Sequence, residues 1–424
     1  MLDVKFIKDN IEFVVQNCLH RNVAFDSERF LKIDFQRRDL DQKIQNLRVE
    51  ANKLSSKKNL ANSNLRSEKG RNLRCEVERL EKLLRVVRGE MDEILRSIPN
   101  LTHKDTPIGV DEAASKIIKH GRTPIPVFEF KVKNHLDLGR DLGIIDMNAG
   151  TKVAGSGFYF LKGKGALLDL RLQNYVIQKL IAQGYQFQIT PDIANNEVLT
   201  GTGYVPRGTE TNTYCIEDTN LSLIATSEIT LCGQFKDEVI LENNLPIKLV
   251  GLSHCFRTER AAGSATRGIY RVHQFTKVEM VILCKPEMAE EIHEELLNIE
   301  MEIFDDLCIP YRVLDIASGD LGASAYRKFD IEAWMPGRGN IGEYGEVTST
   351  SNCTDYQTRR LNIKYKPDYS KKRIYIYTLN GTGIATSRAI LALLENYQTE
   401  NGDIKFPPSV SEILGFSEIT KDEI

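Results

Sequence analysis

The stretch Cys255 to Val281, CFRTERAAGSATRGIYRVHQFTKVEMV, concentrates the side chains with the most chemistry in them. Its second half alternates with period two. Arg271, His273, Phe275, Lys277 and Glu279 therefore share one face of an expected strand, and Val272, Val278 and Met280 share the other. A polar strand face usually does no more than meet water. This one combines cations, an aromatic plate and a carboxylate, and Phe275 to Glu279 spans ~13 Å at ~3.3 Å per residue, the reach from a purine ring to the far end of an aminoacyl phosphate. In FRTER, Arg257 and Glu259 are again two apart. A guanidinium fork donates two parallel hydrogen bonds to a phosphate, and a neighbouring carboxylate accepts from an exocyclic amine. With the Gly- and Ala-rich segment Ala261 to Gly268, loop and strand form a nucleotide bed.

Such a strand needs a sheet behind it. The second part of the chain supplies short β-rich runs (GFYFLKG, YQFQIT, RVHQFTKVEMVIL) separated by amphipathic helical stretches without a βαβ rhythm. That pattern predicts an α+β fold with an antiparallel β-sheet flanked by helices. Ahead of it, Ser27 to Ser97 holds 18 Lys or Arg against 12 Asp or Glu, with no Pro and two Gly. The stretch is net +6 in a chain of net charge -3, which leaves -9 for the remainder. Ile33, Leu40, Ile44, Leu47, Ala51 and Leu54 form one heptad seam, and Leu73, Val77, Leu80, Leu84, Val87, Met91 and Ile94 form another. Neither seam stays dry alone, so the two predict an antiparallel helical hairpin, a coiled-coil arm over about 27–97. Lys53, Lys57, Lys58, Arg66, Lys69, Arg71 and Arg74 crowd its tip. A charge run is ordinarily a solvated face, yet a basic tip also suits an RNA backbone, where each neutralised phosphate releases counterions. Pro99, Pro107, Pro124 and Pro126 mark 98–126 as a linker, and the expected domains are 1–105 and 106–424.

With 424 residues, 41% hydrophobic and 27% charged, disorder and fibrous structure are excluded. The eight cysteines show no C-x-x-C spacing, so neither zinc nor a disulfide framework is expected. The opening MLDVKFIKDN carries charges where a secretory signal needs an apolar run, and no stretch approaches ~18 apolar residues. The expectation is a cytoplasmic protein without a membrane partner. GKG at 163–165 and GTG at 201–203 and 381–383 lack the G-x-x-x-x-G-K-[ST] form and are read as turns.

F-R-T-E, T-R-G and R-V-H-Q-F-x-K-V-E together resemble motif 2 of the class II aminoacyl-tRNA synthetases, of the seryl type. LLDLRLQNYVIQKLIAQGYQFQITPDI resembles the dimer-forming motif 1, and LNGTGIATSRAILALLENYQ resembles motif 3. GEVTSTSNCTDYQTRRLNI and LIATSE resemble further seryl-type segments. The resemblance covers nearly the whole chain and implies ATP-dependent activation of L-serine and transfer to tRNA(Ser), with tRNA(Sec) open as a second acceptor. It implies ATP and Mg2+, and a homodimer whose arm serves the partner's site. Carried over by position, Arg257 and Arg388 are catalytic, with Arg257 on the α-phosphate. Glu259 meets the adenine amine, Phe275 stacks under the ring, and Thr258, Arg271, Val272, Val347 and Thr348 complete the ATP site. Glu346 and Ser349 are the magnesium positions. Residues three apart on a regular strand point opposite ways, so a bulge or strand end must lie between them. Serine falls to Thr226, Ser227, Glu228, Arg257, Glu279, Asn380 and Thr382. Thr382 stands where the family often has serine and keeps the hydroxyl. His273 is expected to be a structural hydrogen-bonder, and no general base is assigned.

Two other classes share parts of this pattern. A ligase charging a carrier protein should lack the complete basic hairpin, and a non-catalytic RNA-binding relative should have lost Arg257, Glu279, Glu346 or Arg388.

Overall fold

A computed structural model describes residues 1–56, 63–204, 212–259, 268–370 and 372–421. The chain divides into two compact units, Met1–Pro99 and Asn100–Ile424. Among the described residues, no helix is long and apolar enough to cross a membrane.

In the first unit, two short helices precede α1 (Ser27–Ser56) and α2 (Ser63–Ser97). The Asp26 carboxylate starts α1 by accepting the Arg29 N–H at 2.9 Å. Ile33 and Ile44 on α1 and Leu73, Leu80, Leu84 and Met91 on α2 are buried, as the two seams require. Cross-helix ion pairs fix the direction: Arg88 meets Asp41 at 3.0 Å, Arg48 meets Glu81 at 2.7 Å and Lys69 meets Glu50 at 3.1 Å. Partners that rise on one helix as they fall on the other mean antiparallel packing. Each exposed pair contributes only ~0.2–1 kcal/mol, so the seam carries the stability and the pairs set the register.

The second unit is built on an eight-stranded sheet. Its strands are β1 (Lys116–His120), β2 (Gln186–Ile189), β3 (Ile247–Phe256), β4 (Gln274–Cys284), β5 (Tyr311–Asp315), β6 (Arg327–Met335), β7 (Glu343–Thr354) and β8 (Tyr377–Ala385). They lie in the order β1-β5-β6-β7-β8-β4-β3-β2. Every neighbouring pair is antiparallel except β2 with β3. Val278, Met280 and Ile282 of β4 join the main core with α3 (Gly163–Ala182), α5 (Ala289–Asp306) and α6 (Thr386–Asn396). Val281 and Leu283, on the other face, belong to a second apolar cluster with Leu231 and Cys232 of α4 (Glu228–Gly233). Phe275, Lys277 and Glu279 share that second face by parity, so the alternation read from the sequence is the one the fold uses.

The proline-marked segment 98–126 is docked rather than free. The Asn100 side chain donates to the carbonyls of Ser324 and Cys353 at 2.8 and 2.9 Å, and the His103 N–H donates to the Tyr326 carbonyl at 2.9 Å. Lys116–His120 is the edge strand β1. Proline breaks the interior of a helix but is tolerated beside an edge strand, which explains why its signature did not mean a linker. The three Gly-x-Gly patches divide as well. Gly163 opens α3 and Gly203 caps a short helix in the left-handed region, but Gly381 to Gly383 lies inside β8.

Candidate active site

The central strands β3, β4, β8 and β7 bring residues far apart in sequence to one cavity. Among the described residues it is bordered by Arg257, Glu259, Tyr270, Arg271, Val272, Phe275 and Lys277, and on its other side by Glu346 to Ser349, Thr382, Ala385, Ser387 and Arg388. Arg257 and Glu259 follow the end of β3. Glu259 has φ +46°, a left-handed conformation that a non-glycine residue adopts at a cost of ~1–3 kcal/mol. Its carboxylate lies 3.5 Å from the Arg271 guanidinium. The Arg257 guanidinium sits over the Phe275 ring at 5.1 Å, and that of Arg388 over Tyr270 at 4.7 Å.

Three departures from regular strand geometry aim these groups. β4 begins only at Gln274, so Val272, three residues before Phe275, is free to border the same cavity. In β8 the register with β4 slips between Thr382 and Ile384. In β7, Thr348 pairs with Ile331 and Glu346 with Glu332, leaving Val347 as the extra residue of a bulge. The bulge restores a common face to Glu346 and Ser349, as the magnesium assignment requires. Val347 and Thr348 border the cavity but turn their side chains elsewhere. Val347 joins the main core, and the Thr348 hydroxyl donates at 2.8 Å to Glu300, a fully buried carboxyl on α5.

The charges are mutually supporting. Burial works against ionisation of Glu346, yet Arg388, Lys328 and Arg257 hold its carboxyl below the usual range, with the Arg388 guanidinium 3.3 Å away. Glu279 is buried and pairs with the ammonium of Lys277. Burial pushes its carboxyl up to about 7 against the pull of Lys277. Glu279 stands directly across the ladder from Thr382, so the two side chains share a face.

Next to the cavity lies a polar network around Glu228. Tyr204 donates to this carboxylate at 2.6 Å, and the amides of Gln357 and Asn380 donate at 2.7 Å each. The Thr378 hydroxyl orients Gln357 at 2.6 Å. Thr226 is buried beside Glu228 and accepts its N–H at 3.2 Å. Ser227 faces the Gly251 carbonyl at 3.5 Å, and Thr258 directs its N–H to Asn212 at 3.3 Å; neither borders the cavity. Nδ1 of His273 lies 2.9 Å from the Arg257 carbonyl and 3.0 Å from the Tyr214 hydroxyl, a structural placement.

Lys277, Tyr270, Tyr204 and Gln357 join these groups without a role assigned by the sequence. Lys277 was signalled by its place between Phe275 and Glu279 on the polar face. Tyr204 and Gln357 had no such signal, because only the fold brings them to Glu228. On the hairpin, Lys53, Lys69, Arg71 and Arg74 are exposed and Arg66 lies in α2, while Lys57 and Lys58 fall outside the described residues.

Residues 1–102 match the seryl-tRNA synthetase N-terminal domain, and 214–397 match the class II tRNA synthetase core domain of the Gly, His, Pro, Ser and Thr enzymes. A serine-tRNA ligase of Rubrobacter xylanophilus is 49% identical over 98% of each chain, and one of Treponema denticola is 46% identical over 99% of this chain and all of its own. The chain belongs to the seryl-tRNA synthetases. The seryl-tRNA synthetase of Pyrococcus horikoshii, solved with ATP, superposes with a TM-score of 0.90 at 36% identity over 99% of each chain. The reaction is therefore activation of serine followed by its transfer to tRNA(Ser). Its two stages place two demands on this synthetase, a site for the adenylate and a means of holding tRNA.

Proposed function

We propose that the cavity holds ATP and that serine sits beside it, between Glu279, Thr382 and the Glu228 network. The convergence of Arg257, Phe275, Glu346 and Arg388 on one cavity, with the buried Glu279–Lys277 pair next to it, carries this reading. The adenine lies on Phe275 with its amine toward Glu259. Arg257 exchanges its contact with the ring for the α-phosphate, and Arg388 bears on the remaining phosphates. Glu346 and Ser349 suit magnesium, since both are hard oxygen donors on one face and Glu346 is held ionised. A magnesium ion there would offset phosphate charge. The serine carboxylate attacks the α-phosphorus in line with departing pyrophosphate, and prepositioned cations stabilise the charge that develops, so no protein base is needed. Glu279 and Thr382 take the serine hydroxyl, a pairing that alanine leaves unmet.

Phe275→Ala raises the ATP KM roughly tenfold or more, as loss of one base stack implies, while the serine KM stays within about twofold. Serine-dependent pyrophosphate exchange measures both. Unchanged ATP dependence would take the adenine off this ring.

The hairpin with its basic tip is the tRNA arm. Ala at Lys57, Lys58 and Arg71 raises the tRNA KM about tenfold and lessens its salt dependence by roughly one counterion per cation removed. It leaves serine activation unchanged. Equal damage to both steps would dissociate the arm from tRNA, and running tRNA(Ser) and tRNA(Sec) side by side tests both acceptors. The exposed Leu167 and Leu170 on α3 and Ile189 at the outer strand β2 suit a face covered by a second copy. That homodimer, acting in the cytoplasm, would offer each arm to its partner's site; gel filtration with and without tRNA reads the assembly.

A further inference from the structure

Behind the nucleotide wall lies a buried histidine–carboxylate pair that the reaction does not use. Glu395, at the far end of α6, is 1% exposed. Its Oε1 accepts the backbone N–H of His135 at 2.9 Å and contacts the imidazole Nδ1 at 2.8 Å, and its Oε2 accepts the Gly337 N–H at 2.8 Å. With Nδ1 donating to the carboxylate, Nε2 is left as an acceptor, and it takes the Ile269 N–H at 3.3 Å. The approach is close: a Cβ on Gly268 would lie 2.0 Å from that Nε2. The next residue, Tyr270, belongs to the cavity wall.

Arg388 and Glu395 are seven positions apart, two turns along one face of α6. Arg388 grips the wall segment directly, with its Nε 3.4 Å from the Tyr270 carbonyl and its guanidinium over the ring. Glu395 grips the same segment twice through others. His135 carries it to Ile269, and Gly337 carries it to Arg338, whose guanidinium lies 4.6 Å from the Tyr270 centroid. We propose that the Glu395–His135 pair is a positioning device for ATP: it anchors Ile269 and Arg338 so that Tyr270, Arg271 and Val272 stand where the nucleotide needs a wall. The proposal rests on the assignment of this cavity to ATP.

The test is serine-dependent pyrophosphate exchange with the full-length enzyme, varying ATP and serine separately, with melting temperatures recorded beside it. In Glu395→Gln, an isosteric change, one carboxylate acceptor becomes a donor facing another donor. The ATP KM should rise roughly tenfold, the cost of a lost hydrogen bond to a charged group, with the serine KM within about twofold. His135→Gln can still accept the Ile269 N–H through its amide oxygen and should keep more ATP affinity than His135→Leu. ATP and serine KM values that move together, or a Leu variant equal to the Gln variant, would overturn the proposal. Phe275→Ala separates it from its premise. If that variant weakens ATP binding and the Glu395 and His135 variants do not, the positioning device fails alone; if Phe275→Ala has no effect, the cavity assignment fails first.

Discussion

Replacing Arg257 by alanine lowers kcat for serine-dependent pyrophosphate exchange roughly 10²- to 10³-fold, the effect of removing one prepositioned donor from a developing charge. The fold should tolerate the change. The Arg257 backbone N–H, bonded to the His273 carbonyl at 3.0 Å, survives it, and the side chain's own contact to the Ala225 carbonyl is a long 3.5 Å. Arg257→Lys recovers part of the rate, since an ammonium supplies charge but not the planar fork. Activity within about threefold of the parent would remove this guanidinium from the reacting phosphate.

The second large effect is at Glu279. Glu279→Gln keeps shape and burial but loses the charge that faces Lys277, and kcat/KM for serine should fall roughly 10²- to 10⁴-fold while the ATP KM changes little. Glu279→Ala is the harsher variant, because it also removes the oxygen that Gln still offers the buried Lys277 ammonium and leaves a void, and breaking a buried pair in this way costs ~3–5 kcal/mol of stability. The pH dependence follows from a carboxyl raised to about 7 in the folded protein. Above that value the group is ionised, the state in which the proposed role has it accept from the substrate hydroxyl. Below it the proton is taken up, so kcat/KM for serine declines toward tenfold per pH unit. In Glu279→Gln the acid limb disappears. A parent enzyme whose serine dependence is flat from pH 8 to 6 would exclude Glu279 from that role.

The two faces of β4 were legible because strand alternation is local, and so was the hairpin, whose apolar residues recur at four-three spacing from Leu73 to Ile94. Of the polar network around Glu228, resemblance alone singled out Thr226, Glu228 and Asn380. Glu228 receives Tyr204, Gln357 and Asn380 from three other segments, up to 152 positions away, and no periodicity links them. Lys277 was placed on the correct face without its partnership to Glu279, since alternation gives direction but not burial. The prolines of 98–126 misled in the other direction: they disfavour a long helix, and an edge strand meets that constraint as well as a free segment does.

The spare residue at Val347 makes the alignment of Glu346 with Ser349 a matter of counting as much as of chemistry. Were β7 to run through Val347 as a regular strand, it would retain every polar group of GEVTSTS yet turn its acid and its alcohol to opposite sides of the sheet. Dropping Val347 altogether would leave those two side chains two apart, and ordinary alternation would keep them together. The letters of this segment therefore place its oxygens side by side only in company with the kink that the extra residue makes.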